Sequence, residues 1–304
     1  MRAIQITAYG GPEVVVLNHV PEPELAPGQL RVSVAATGVN PVDWKVRDGY
    51  MKDYLQIPFP ITIGNEIAGT VTQVGEGVSG FAVGDKVYGS IGPIGAFADV
   101  VAVPATSLAH APASLSLVEA GALPVAVVTA QAALDAGQVG PGTRLLVHSA
   151  AGGVGSIVVQ LAKALGAEVT ALTSPATMDF VRGLGADHVV DRTTAYEDAI
   201  GDFDMVLDAF GPPAIARSWG LLKPGSILVS LTNQPDEAEA ARHGVRATMV
   251  FGSPNQAALA NAAALADAGK LKVTIQRTYP MEQAVAAMAE VADGNVRGKV
   301  VLTY

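Results

Sequence analysis

Hydrophobic and polar positions follow two different patterns along this 304-residue chain. Up to about residue 116 the pattern is that of short strands. Residues 31–39 (RVSVAATGV), 69–75 (GTVTQVG) and 85–90 (DKVYGS) are rich in Val and Thr and are bounded by Gly and Pro. No long helical periodicity occurs there. From Leu117 the style changes. Residues 117–136 read as helix, broken around Pro124, and strands then alternate with helices. Strands are predicted at 145–150, 168–173, 188–191, 203–210, 226–231 and 245–251, with helices at 155–165, 178–184 and 255–268. Fully apolar strands in β–α repetition predict a parallel sheet covered on both faces. The last segment differs again, with strand at 272–279, helix at 282–292 and strand at 299–304. That tail is expected to return to the first domain.

Composition narrows the class. Apolar residues make up 50% and charged residues 15%, so the chain can bury a large core and is not disordered as a whole. The length suggests about two domains. Lys and Arg number 19 against 28 Asp and Glu, and the net charge of −9 argues against nucleic acid as the main partner. Cysteine is absent, which excludes disulfides and thiolate metal sites. The first residues, MRAIQITAYGG, hold no apolar signal core, and the longest uncharged stretch, 145–162, is interrupted by Gly, Ser, His148 and Gln160. A cytoplasmic protein is the expectation, with no membrane partner.

The strongest motif is LLVHSAAGGVGSIVVQLAK (145–163). A strand ends in Ala150-Ala151-Gly152-Gly153-Val154-Gly155 and a helix follows. This is the dinucleotide fingerprint with Ala150 in the first glycine slot. Gly152 lets the backbone approach a pyrophosphate, Gly155 lets helix and strand pack closely, and the helix N-terminus offers free N–H groups. The next strand ends in Leu172-Thr173-Ser174. No carboxylate stands there to repel a 2′-phosphate, two hydroxyls are at hand, and Arg192 follows the third strand. NADPH is therefore expected over NADH, with a solvated surface charge as the alternative reading of Arg192.

These residues carry a resemblance that spans essentially the whole chain. The chain is similar to zinc-independent medium-chain dehydrogenases/reductases of the quinone oxidoreductase (zeta-crystallin-like) family. The family's glycine signature is matched between Gly142 and Lys163, with Thr143 departing from it. GVNPVDWKVRDGY (38–50), GNEIAGTVTQVGEGVSGFAVGDKVYG (64–89) and GKVVL (298–302) are also similar. The resemblance implies an α/β chain in which a doubly wound Rossmann sheet (119–267) is inserted into a discontinuous, mostly-β GroES-like catalytic domain (1–118 and 268–304).

It also implies a function, metal-free hydride transfer from NADPH to a quinone. The alternatives are reduction of an alkenal or enone, and an NADPH-binding structural or regulatory protein without turnover. Asn40 and Asn65 stand where zinc-dependent relatives carry Cys and His, and neither amide is a good zinc ligand. By resemblance Asn40 lies beside the reacting carbonyl, where it could donate to the developing oxyanion; otherwise it is a turn residue before Pro41. Asp43 either orients a donor or caps a helix. Tyr50 is a proton donor or a pocket wall. Glu66 more readily fixes a loop. Thr129, Phe210, Ser230, Leu231, Thr232 and Phe251 are the further expected cofactor contacts. Lys299 either touches phosphate or neutralises nearby carboxylates. Met178 stands where many relatives have Lys. A homodimer through residues 245–251 is the expected assembly.

Overall fold

The computed structural model describes residues Met1–Tyr304, which form two compact units. The first comprises Met1–Val128, Ser253–Gly269 and Val273–Tyr304; the second comprises Thr129–Gly252 and Lys270–Lys272.

The first unit is mostly β. One sheet of seven strands runs in the order Ile275–Pro280, Lys299–Thr303, Gln29–Val39, Glu66–Val74, Lys86–Ser90 and Leu108–His110, with Val100–Pro104 also paired to Gln29–Val39. A smaller sheet joins Val15–His19, Arg2–Ile6 and Ile61–Thr62. Gln29–Val39 shows why the segment is a strand. Leu30, Val32, Val34 and Ala36 are buried at a spacing of two, while the residues between them are more open. That inward face packs on Ile67, Val87, Val300 and Leu302.

Register in this sheet decides where the polar residues meet. Val300 pairs with Val39 in antiparallel register, which carries Lys299 opposite Asn40. Ala36 pairs with Ala68, which carries Glu66 opposite Gly38. Three strand ends therefore bring residues 40, 66 and 299 together, though 259 positions separate the outer two.

The second unit holds six parallel strands in the order His188–Asp191, Glu168–Thr173, Arg144–Val147, Phe203–Asp208, Leu222–Ser230 and Arg246–Met249. Reading from the first strand outward, this is the doubly wound dinucleotide-binding order. Leu145, Leu146 and Val147 are fully buried because helices cover both faces of the central strand.

One boundary differs from expectation. Residues 255–268, expected with the parallel sheet, form the helix Gln256–Asp267 and belong to the first unit. Tyr88 Oη donates to Leu259 O at 2.6 Å, and Gln256 Nε2 donates to Leu108 O at 2.7 Å. Those bonds and a buried row of Ala258, Leu259, Ala262 and Ala266 hold the helix to the strands at 86–90 and 108–110. Residues 119–128 also go with the first unit, where Val125 N donates to Glu66 Oε2. No helix is long and apolar enough to cross a membrane.

Candidate functional site

In the second unit the glycine-rich turn is built as its sequence demands. The strand Arg144–Val147 ends, Ser149 takes a positive φ of 52°, and the helix Gly153–Ala164 begins with Gly152 as its N-cap. A non-glycine residue in the left-handed region is strained, and here the strain aims the Ser149 carbonyl into the turn. Gly152 N donates to that carbonyl at 2.9 Å. A Cβ on Gly155 would lie 2.2 Å from the same oxygen, so only glycine lets the helix come this close to the turn. Ala151, Gly152, Gly153, Val154 and Gly155 thus form one cradle at the N-terminus of a helix of 12 residues. A phosphate fits there because the first turn presents N–H groups with no intrahelical acceptor.

Beside the turn lies a cleft lined by His148, Ser149, Leu172, Arg192, Phe210 and Arg217, among others. It opens where the parallel strands end, the usual ligand position of such sheets. The Arg192 guanidinium sits over the Phe210 ring at 5.2 Å, with no carboxylate paired to it. Arg217, by contrast, is held by Glu197 and by Thr194 O, and stacks on Tyr196 at 4.0 Å. Phe210 and Phe251 are 52% and 67% exposed, unusual for large apolar rings. Burial pushes His148 down to about 4, so its imidazole is neutral and bonds Ser218 Oγ at 3.0 Å.

Several expected cofactor residues are already engaged. The Thr173 hydroxyl is buried against Thr177 Oγ1 at 2.6 Å, and Ser174 Oγ meets the same Thr177 hydroxyl at 3.0 Å. The two hydroxyls expected to meet a 2′-phosphate therefore brace one another through Thr177; only Ser174 keeps partial exposure. Ser230 is fully buried, which corrects its expected role as a contact. Its Oγ donates to Asp208 Oδ2 at 2.8 Å and accepts from Thr232 N and Asn233 N. Thr232 Oγ1 donates to the same Asp208 oxygen at 2.9 Å, while Asp208 Oδ1 accepts from Phe210 N and Gly211 N. Asp208, not singled out in the sequence, is the hub that shapes both loops. Its signal was a carboxylate closing an apolar strand. Leu231 N donates to Asp208 O at 2.9 Å, and Thr129 lies half-buried in the helix Pro124–Ala136.

In the first unit Asn40, Asn65, Glu66 and Lys299 form a buried cluster. Asn40 Nδ2 donates to Glu66 Oε1 at 2.6 Å and to Asn65 Oδ1 at 2.9 Å. Lys299 Nζ donates to Asn40 Oδ1 and, at 2.8 Å, to Glu66 Oε1. Gly38 makes room: a Cβ there would sit 2.1 Å from Glu66 Oε1. With both amide hydrogens engaged, Asn40 has no free N–H for a substrate oxygen, which corrects the role expected of it. Of the two readings of Lys299, the second holds, since it neutralises a local carboxylate.

Asp43 accepts the Asn40 N–H at 2.7 Å, closing the N-terminus of the helix Pro41–Arg47 as a capping residue. It is fully buried, and its Oδ1 has no partner. Desolvation outweighs the Asn40 bond and pushes its carboxyl up to about 8. Tyr50 is 70% exposed, with its ring edge-on to Trp44 at 5.9 Å, so its hydroxyl is free.

Comparison with known proteins agrees with both halves of this description. Residues 26–113 match the family described as "Alcohol dehydrogenase GroES-like domain", and residues 184–302 match "Zinc-binding dehydrogenase". The chain is 34% identical to the tomato (Solanum lycopersicum) 2-methylene-furan-3-one reductase over 99% of its length and 79% of that protein. It is 32% identical to the chloroplast envelope quinone oxidoreductase homolog of Arabidopsis thaliana, over 99% of this chain and 98% of that one. It is also 37% identical to the polyketide synthase protein NorB of Streptomyces orinoci, of which it spans only 14%. Among solved structures, the quinone oxidoreductase of Coxiella burnetii superposes with a TM-score of 0.92 at 30% identity, covering 100% of this chain and 99% of that one. The Escherichia coli quinone oxidoreductase complexed with NADPH gives 0.90 at 25% identity, covering all of both. A GroES-like unit, a nicotinamide-binding parallel sheet and full-length relatives lead to one conclusion: the chain is an oxidoreductase of the medium-chain dehydrogenase/reductase superfamily and belongs to its quinone oxidoreductase family.

Proposed function

We propose that this oxidoreductase uses NADPH to reduce a quinone. The observation that carries the cofactor choice is Arg192, a guanidinium without a carboxylate partner at the rim of the cleft. The strand Glu168–Thr173 meanwhile ends without the carboxylate that would hold a ribose 2′-OH. Ala151–Gly155 would hold the pyrophosphate, and Arg192 with Ser174 would hold the 2′-phosphate. When bound, the reduced nicotinamide supplies the hydride. Asp208 keeps the loops at 210–211 and 230–232 in shape, Phe210 and Phe251 offer apolar surface, and Tyr50 presents a phenol that can give a proton to the substrate oxygen.

Reduction of an enone is the second reading, supported by similarity to a 2-methylene-furan-3-one reductase. The two acceptors share an electrophilic carbon conjugated to a carbonyl, and positioning does much of the work for either. We place the protein in the cytoplasm as a homodimer paired through the edge strand Arg246–Met249, which has a neighbour on one side only. The test is loss of reduced-nicotinamide absorbance, with NADPH and NADH in parallel and a quinone, an alkenal and a saturated aldehyde as acceptors. NADPH oxidation by the quinone above the alkenal is the expected result. Equal use of the two cofactors, unchanged in Arg192→Ala, overturns the cofactor assignment.

A further inference from the structure

The family matched at residues 184–302 is named for zinc, and the buried cluster of the first unit does not suit that ion. Zinc takes thiolate, imidazole or carboxylate ligands, and no group of three His, Cys, Asp or Glu side chains could hold a metal here. Asn40 and Asn65 offer amides, and the Asn65 oxygen already accepts from Asn40. The carboxylate of Glu66 is fully buried and needs a positive partner. The chain itself supplies that partner: the Lys299 ammonium, only 7% exposed, donates to both Glu66 Oε1 and Asn40 Oδ1.

We propose that Lys299 is the internal cation of this site and a positioning residue for the reaction. Its ammonium holds the Asn40 amide oxygen, which leaves the amide nitrogen facing Glu66 and Asn65. Asn40 is also the first fixed point of the helix Pro41–Arg47, through Asp43. That helix carries Trp44, and Tyr50 follows it with its N–H on Lys45 O at 2.9 Å and its ring against Trp44. A line of contacts thus runs from Lys299 through Asn40 and one helix to the exposed phenol of Tyr50. The strand register that sets Lys299 opposite Asn40 is held at its start by Gly298, where a Cβ would lie 2.2 Å from Thr274 O.

The activity arm of the test rests on the quinone-reductase reading, so wild-type turnover is measured first; the stability arm does not depend on it. Lys299→Ala leaves Glu66 buried without a cation beside a space the size of an alkylammonium. Its melting temperature is expected to fall and to be restored by methylammonium, while tetramethylammonium at the same ionic strength, too large and without N–H donors, does nothing. Turnover is expected to fall about 10–100-fold, the penalty of a displaced catalytic group, with the KM for NADPH unchanged, and to recover with methylammonium. If Lys299→Ala does not fold, Lys299→Met combined with Glu66→Gln removes both charges and keeps the fold measurable. That pair should show the same fall in kcat and no response to amine.

A folded Lys299→Ala protein indifferent to methylammonium overturns the internal-cation role. Full turnover in the charge-free pair overturns the positioning role. Stoichiometric zinc in the purified wild type, with activity lost to a chelator and regained with zinc, overturns both.

Discussion

Asp43 is a side chain whose sequence leaves two readings open, orienting a donor or capping a helix, and whose state neither reading contains. Its position three residues after Asn40 was legible as a cap. That it would be fully buried was not, because burial comes from packing by elements far away in sequence. The consequence is a pH effect of definite sign. The folded carboxyl is pushed up to about 8 while the unfolded one titrates near the ordinary aspartate value of 3.8, so the folded state keeps a proton that the unfolded chain releases. This group's contribution is full below about pH 4 and falls as pH rises, until it is lost above about 8. Asp43→Asn mimics the protonated form. Relative to that variant, the wild type should lose stability from pH 5 to pH 8, by up to ~1.4 kcal/mol per pH unit, in urea melts. Parallel curves for the two proteins would count against a buried neutral acid. Gly38 offers a second residue-scale case. A Cβ there meets a carboxylate already fixed by Lys299, Asn40 and Val125 N, and lies 3.0 Å from Gly121 O. Gly38→Ala should cost about 3 kcal/mol by denaturant titration, the upper range for forcing volume into a packed interior.

At the scale of elements, hydrophobic pattern located most of the parallel sheet. The strands Glu168–Thr173 and His188–Asp191 fall at their expected ends, because Gly and polar residues bound them sharply. The helix after the glycine turn starts at Gly153, earlier than the apolar periodicity suggested, since Gly152 caps it through the backbone and leaves no side-chain signal. Arg2–Ile6, Val15–His19 and Val100–Pro104 were not singled out; short antiparallel strands with one open face carry a weak pattern. Ser230 stands at the expected strand end, but its full burial and its bond to Asp208 pre-empt the contact expected of it. That hub yields an element-scale prediction. Asp208→Asn keeps an oxygen for Phe210 N and Gly211 N and turns an amide nitrogen toward the Ser230 and Thr232 hydroxyls; Thr232 can accept from it, but Ser230, already accepting from Thr232 N and Asn233 N, loses the acceptor of its own proton. Cofactor KM is expected to rise about tenfold and stability to fall by ~2 kcal/mol, as for a lost bond to a buried charge. Gly155→Ala should abolish NADPH binding in a fluorescence titration, because the obstructing atom is backbone that cannot swing away.

At the scale of the whole molecule, the two-unit organisation and the returning tail were legible from the change of pattern near residue 117 and from the terminal strand. The exact partition was not. An Ala-rich helix at 256–267 carries no mark of which sheet it will cover; two hydrogen bonds from Tyr88 and Gln256 decide it. If NADPH binds to the second unit as proposed, a hundredfold excess over Kd should stabilise the protein by about 2.7 kcal/mol, and NADH at the same concentration by less. Calorimetric scans with each cofactor check this. Light scattering should give twice the 31.0 kDa chain mass if the edge strand Arg246–Met249 joins two copies.

The pairing of Lys299 with Asn40 also bears on how the chain reaches its native state. The second unit, apart from residues 270–272, lies wholly between Val128 and Ser253, so its parallel sheet is complete in the nascent chain well before Lys299 is made. The first unit must wait, its Glu66 without a cation, until the strand Lys299–Thr303 arrives and closes a loop that spans 233 positions from Glu66. Non-local closure of this kind is slow and leaves sheet edges open to other chains. The same register that assembles the polar cluster therefore sets the order of folding during synthesis, inserted unit first and enclosing unit last, and makes the interval between them the period of greatest exposure to aggregation.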